Sequence, residues 1–252
     1  MGEAAVDVDS IAQRHHFLIR RLHSLSGLVP IGVFLVVHLS VNATINVGGE
    51  EFQRNVDRIH ALGPLLVPVE ILGIFLPILF HAVLGLHIWL SGQPNVGTYR
   101  YGGNVRYTLQ RVTGGIAFVF ILYHVWHMHW LGKGLGGGFF DPEAGRAAIT
   151  AAESMRHTIF GFPVSILYAI GVLSTVYHLA NGIWTSLITW GVTIGPSSQR
   201  IAGYVCAVFG VVLGIAGLSA VKGFKEFQGD SVLADAPLDV GSSFVTTTDH
   251  PE

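Results

Sequence analysis

Long stretches of this chain carry no ionised side chain. From Leu22 to Gly49 there is no Asp, Glu, Lys or Arg, and from Ile59 to Tyr99 there is only Glu70. The runs Val112 to Gly132, His157 to Gln199 and Ile201 to Val221 are also free of them. A helix needs about 20 apolar residues to cross the hydrocarbon core of a bilayer. The pattern predicts five spans, near 24–45, 65–90, 110–131, 161–190 and 201–221. A soluble bundle of core helices is a poor alternative, because soluble helices show a polar face every 3.6 residues and these runs show almost none.

The expected fold class is therefore an all-α integral membrane protein, a bundle of five transmembrane helices over residues 1–222. Residues 223–252, rich in Asp, Ser, Thr and Gly, read as a polar, flexible tail. The residues before Leu22 include Arg14, Arg20 and Arg21 and have no apolar core, so they do not read as a signal peptide. A single cysteine, Cys206, excludes an internal disulfide, a cysteine-ligated iron–sulfur cluster and covalently attached c-type haem. A net charge of −2 gives no reason to expect a nucleic-acid partner.

Five spans put the termini on opposite sides. The N-terminal, or near, side collects Arg14, Arg20, Arg21, Arg100, Arg106, Arg111 and Arg200, and the far side holds the other seven cations. A bare count leaves the orientation open.

Among the 13 histidines, His38, His81, His87, His124, His127, His129 and His178 fall in or near the spans. An ionisable group at membrane depth is costly and marks function by default. Depth follows from the rise of about 1.5 Å per residue. His38 and His124 each lie about 14 residues into spans that run the same way, roughly 21 Å from the near side. His81 and His178 lie about 16 and 17 residues into spans that run back, so both fall towards the near side. Four histidines on four helices thus form two depth-matched pairs. Opposed neutral imidazoles are what a six-coordinate b-type haem iron requires, whereas zinc prefers closed sites with three or four protein ligands. Gly85 and Gly182 follow His81 and His178 by four residues, and Gly27 and Gly114/Gly115 precede His38 and His124. Glycine suits a flat macrocycle, but it also suits ordinary helix contacts in membranes. The run from His124 to His129 reads either as a metal site at a helix end or as interfacial residues beside Trp126 and Trp130.

Glu70 is the one carboxylate within a span. It reads as a proton acceptor or donor beside the His38/His124 pair, or as an interfacial residue paired with Arg54 or Arg58. Arg20, Arg21, His23 and Arg111 stand on the near side, where they suit either haem propionates or lipid headgroups. Pro77, four residues before His81, predicts a kink. Gly132 to Gly137 matches GxGxxG, but it follows a membrane helix rather than a strand and reads as a flexible loop. No apparatus for flavin, nucleotide or dicarboxylate chemistry is visible.

Several motifs in order carry a resemblance. They are Arg20-Arg21-Leu22-His23-Ser24 with Phe34 to His38 and Val41-Asn42; Glu70 to Pro77 with His81; Leu109 to Gly114 with His124-Val125-Trp126; Gly171 to Thr175 with His178 and Asn181 to Trp184; and Thr189 to Gly191 with Pro196 and Ser198 to Ile201. Over residues 17–222 the chain resembles the five-helix, two-haem, single-subunit cytochrome b of succinate:quinone oxidoreductases and fumarate reductases. The resemblance assigns His81/His178 to a proximal, high-potential haem and His38/His124 to a distal, low-potential one. It implies a multi-pass protein of a prokaryotic cytoplasmic membrane with a cytoplasmic N-terminus. It also implies a flavoprotein and an iron–sulfur partner on that side, and a quinone, menaquinone in such relatives, reduced near the distal haem. Two other functions suit intramembrane histidines. One is a dihaem anchor of a hydrogenase or formate dehydrogenase, and the other is a transporter of protons or metal ions.

Overall fold

A computed structural model describes residues 17–91, 97–98, 101–143 and 145–229. Arg14, Arg100 and the tail from residue 230 onward lie outside the described residues. Five helices are long and apolar enough to cross a membrane: span one Phe17–Asn46, span two Gly63–Leu90, span three Gly102–Met128, span four Val164–Thr189 and span five Pro196–Glu226. The protein is a multi-pass membrane protein built as a five-helix bundle. Span one is already helical at Phe17, the first described residue, and span three begins eight residues earlier than its apolar run predicts, because the helices continue through Arg20, Arg21, Arg106 and Arg111. Long cationic side chains let a helix extend beyond the hydrocarbon while their heads reach water or headgroups.

Two prolines shape the first pair of spans. Pro30 lies inside a π-helical stretch, Gly27–Gly32, and Pro77 follows another, Ile71–Phe75. Proline lacks an N–H and its ring collides with the carbonyl four residues back, so a widened turn relieves the clash. A widened turn precedes Pro77, where a kink is expected, and the two widened turns pack against each other.

Span four is the axis of the bundle and packs along spans three and five. Leu39, Val172, Val176, Leu179 and Leu213 form the mid-membrane core. Lipid tails are as apolar as these side chains, so close fit rather than water exclusion holds the helices. Gly171 gives the fit its tightest point, since a Cβ there would collide with the Phe120 ring.

The far side is capped by two short helices, Gly49–His60 and Ala147–Arg156. Their inner faces bury Phe52, Val56, Ala148, Ala151 and Met155 against Phe224 of span five. Gln53 joins them: its Nε2 donates to the Pro142 carbonyl at 2.9 Å and its Oε1 accepts from the Ala147 N–H at 2.9 Å.

The glycine-rich segment expected as a flexible loop is a 3-10 helix, Trp130–Leu135, folded back on the end of span three. Trp126 Nε1 donates to the Leu135 carbonyl at 3.0 Å, and the Gly138 N–H donates to the Trp126 carbonyl at 2.9 Å. A Cβ at Gly132 or Gly137 would collide with that carbonyl, so the glycines serve a close backbone approach.

Candidate functional site

The near-side pair is built from four spans. The rings of His81 and His178 face each other with centroids 6.2 Å apart and planes at 87°. Each ring is held through Nδ1 by a backbone carbonyl of a neighbouring span. His81 Nδ1 donates to the His23 carbonyl at 2.9 Å, and His178 Nδ1 donates to the Gln110 carbonyl at 3.0 Å. A carbonyl only accepts, so the proton sits on Nδ1 and the lone pair on Nε2. The residue four places after each carbonyl is glycine. A Cβ on Gly27 would stand 2.5 Å from His81 Cε1, and one on Gly114 would stand 2.8 Å from His178 Cε1. The two glycines therefore open the helix surface where each imidazole must approach the backbone. His23 adds a ring stacked on His81 at 4.0 Å. Gln110 adds a side chain that donates to the His178 carbonyl at 3.1 Å and accepts from Asn181 at 2.8 Å.

The far-side pair has a different support. His38 and His124 lie with centroids 5.7 Å apart and planes at 75°. His124 Nδ1 lies 3.2 Å from the Tyr168 hydroxyl, which also lies 2.9 Å from Nδ1 of the buried His127. A hydroxyl has one proton to give. With His124 donating to Tyr168, and Tyr168 donating to His127, the His124 lone pair again falls on Nε2. Phe34 stacks on His38 and Phe120 lies against His124.

Both pairs suit one metal between two imidazoles. With each nitrogen about 2 Å from a shared metal, the two ring centroids stand roughly 6 Å apart. The His81/His178 spacing of 6.2 Å meets that value, and the His38/His124 spacing of 5.7 Å is slightly shorter. Among the described residues no three His, Cys, Asp or Glu side chains gather into a closed cage. His124, His127 and His129 do not converge either: the first two turn to Tyr168 and the third turns to Glu70.

Glu70 does not pair with Arg54 or Arg58. Arg54 bonds to Glu51, and Arg58 donates to Asn55 at 3.0 Å. Glu70 instead accepts from Trp130 Nε1 at 3.2 Å and lies 3.5 Å from His129 Nε2. Burial holds the His129 pKa below the ordinary imidazole value, and the Glu70 carboxylate opposes that shift. Of the near-side cations, Arg20 is exposed, and Arg21 lies over the rings of Phe17 and Trp190 at 4.1 and 5.0 Å. Arg21 Nε is buried without an acceptor among the described residues. Arg111 donates to the Tyr107 hydroxyl at 2.5 Å.

Tyr168 and Gln110 are the residues that histidine spacing alone misses. Depth would have found Tyr168, because it lies four residues into span four from the far side, at the level of His124 and His127. Gln110 acts chiefly through its backbone, which no side-chain pattern reveals.

No family model matches the chain. It is similar to the succinate dehydrogenase cytochrome b558 subunit of Bacillus subtilis (strain 168), at 39% identity over 212 residues. The match covers 82% of this chain and 96% of that relative. Similarity of this extent, in a chain whose five membrane spans are arranged around paired histidines, means that the protein belongs to the family of succinate:quinone oxidoreductase cytochrome b subunits.

Proposed function

We propose that the chain is the membrane anchor of a succinate dehydrogenase and carries electrons from a partner iron–sulfur subunit to a membrane quinone, menaquinone by family resemblance. It holds two haems b, the proximal one between His81 and His178 and the distal one between His38 and His124. The observation that carries this reading is the near-side pair, in which backbone carbonyls hold both Nδ1 protons and, among the described residues, both Nε2 lone pairs remain unspent. Bound haem supplies a one-electron carrier.

The chain's own residues do the rest. The glycines at 27 and 114 admit the rings, and the carbonyls of His23 and Gln110 fix their tautomers. Among the described residues the buried Arg21 Nε lacks an acceptor at the level of His23, which suits a propionate; Arg20, His23 and Arg111 stand on the same side for the same role. On the far side Glu70 is the carboxylate that exchanges protons with the quinone. The lone cysteine, Cys206, leaves this chain no means of holding an iron–sulfur cluster. By family resemblance, a flavoprotein and an iron–sulfur subunit dock on the near side, which is the cytoplasmic side and the side of the N-terminus. This chain does not itself bind succinate.

The test is the purified complex. Its reduced-minus-oxidised spectrum should show two b-type haems for each copy of this chain. His81→Ala or His178→Ala should remove one haem, and His38→Ala or His124→Ala the other. Retention of both haems in all four variants would refute the assignment.

A further inference from the structure

A groove of about 470 Å³ runs between spans four and five, and neither histidine pair lines it. It passes Trp184, Tyr177 and Ala180 on one wall and Gly203, Ala207 and Gly210 on the other, and it reaches Leu218. Gly203 and Leu218 are about 22 Å apart along the helix, longer than the roughly 15 Å of hydrocarbon in one leaflet. The groove is apolar along this length and has one cation, Arg106, at its near-side end.

Arg106 is held in place. Its guanidinium lies 4.2 Å over the Trp184 ring, and Trp184 Nε1 is committed to the Gln199 carbonyl at 2.8 Å. Gly203 makes room for the stack: a Cβ there would stand 3.3 Å from Trp184 Nε1 and 3.5 Å from Arg106 Nη1. Among the described residues no carboxylate or other acceptor bonds to this guanidinium. Among the described residues its five N–H donors are therefore fixed by stacking and left unspent beside an open apolar channel. Arg106 is four residues into span three, Trp184 five from the end of span four and Gly203 seven into span five. All three share the depth at which headgroups meet hydrocarbon.

We infer that Arg106 and the groove between spans four and five form a binding site for one anionic glycerophospholipid. Arg106 takes the phosphate through paired N–H donors, and one acyl chain lies along Ala207, Gly210 and Leu218. Basic pockets between membrane helices on the cytoplasmic side suit such headgroups, and here the near side is the side proposed to be cytoplasmic.

The test uses detergent-purified, delipidated protein with the subunits that co-purify. Native mass spectrometry and thermal unfolding are followed on adding phosphatidylglycerol, phosphatidylcholine of the same chains, a quinone, or inorganic phosphate. Phosphatidylglycerol should fill one tight site and raise the unfolding temperature. Arg106→Gln should weaken that site about fivefold or more, as expected for loss of one interfacial cation. Ala207→Leu should block the site while leaving the cation in place, and Arg106→Lys should retain part of the affinity. An unchanged visible spectrum shows that a variant has folded. Should Arg106→Gln fail that check, Arg106→Lys and Ala207→Leu carry the test. Equal binding of phosphatidylcholine, equal stabilisation by inorganic phosphate, preferential binding of the quinone, or phosphatidylglycerol affinity unchanged in Ala207→Leu would overturn the inference.

Discussion

Nδ1 of His178 lies 3.0 Å from the carbonyl oxygen of Gln110, and the next turn of the same helix presents Gly114. The arrangement recurs between His81 and His23, with Gly27 one turn on. In both, a backbone carbonyl within a helix accepts a hydrogen bond from an imidazole on another helix, and the His23 carbonyl also accepts one from the Ser26 hydroxyl at 2.9 Å. The ring reaches that carbonyl only where the helix surface lacks a Cβ. The near-side site is thus assembled from two copies of one local device, one joining spans one and two and the other joining spans three and four.

Gly114→Ala should therefore act on His178. The new methyl would stand 2.8 Å from His178 Cε1 and displace the ring from the Gln110 carbonyl. Overpacking of this kind costs about 1–3 kcal/mol. The expected result is loss or spectral perturbation of the proximal haem with the distal one retained, read from low-temperature difference spectra. Gly115→Ala is the control, since nothing lies within 4 Å of its added Cβ.

Tyr168→Phe tests the far-side pair. The hydroxyl serves His124 and His127 together, and its removal leaves two buried imidazole nitrogens without that partner. Leaving a buried polar group unsatisfied costs about 1–3 kcal/mol. Thermal unfolding should shift down, and the midpoint potential of the distal haem should move while that of the proximal haem stays fixed. Equal movement of both potentials would show a general loosening rather than a local support.

The spans and the histidine pairing were legible because each rests on a periodicity: the length of a bilayer and the rise of a helix. The depth arithmetic needed only His38, His81, His124 and His178 at their places in the chain. The outer helices were not legible. Gly49–His60 and Ala147–Arg156 are short and polar on one face, and they hold their places through tertiary contacts such as those of Gln53. The glycine run at 132–137 misled for a related reason. Glycine permits both a loose loop and a tight backbone approach, and only the position of the Trp126 carbonyl decides between them. The partner of Glu70 was likewise hidden, because the 3-10 turn that delivers His129 and Trp130 has no periodic signature.

Gly171→Ala probes the axis of the bundle. The added methyl would enter the Phe120 ring, which itself packs against His124 and Tyr168. The expected cost is again about 1–3 kcal/mol, with Phe120 pushed towards the far-side pair. A lower unfolding temperature should accompany a perturbed distal-haem spectrum. The combination Gly171→Ala with Phe120→Leu should recover stability in part, because the smaller side chain vacates the space that the methyl needs.

The pair Glu70–His129 predicts an acid-sensitive closure of the turn Trp130–Leu135. Burial lowers the His129 pKa below its ordinary 6.5, with Glu70 opposing. The unfolded chain therefore binds the proton more readily than the folded one between these two values. The neutral-His contribution to stability is fully present above about pH 6.5 and is lost as the pH falls through the folded value. The unfolding temperature of the wild-type protein should decline on the acid side more steeply than that of His129→Gln, and the two should run parallel above about pH 7. Glu70→Gln removes the opposing charge, so His129 becomes harder to protonate and the acid-side decline should steepen. A wild-type minus His129→Gln difference that stays flat across this range would show that His129 does not titrate with folding. Quinone reduction supplies an independent readout. Glu70→Gln should lower turnover with succinate as donor while leaving both haems in place, since Glu70 touches Trp130 and His129 and neither ring pair.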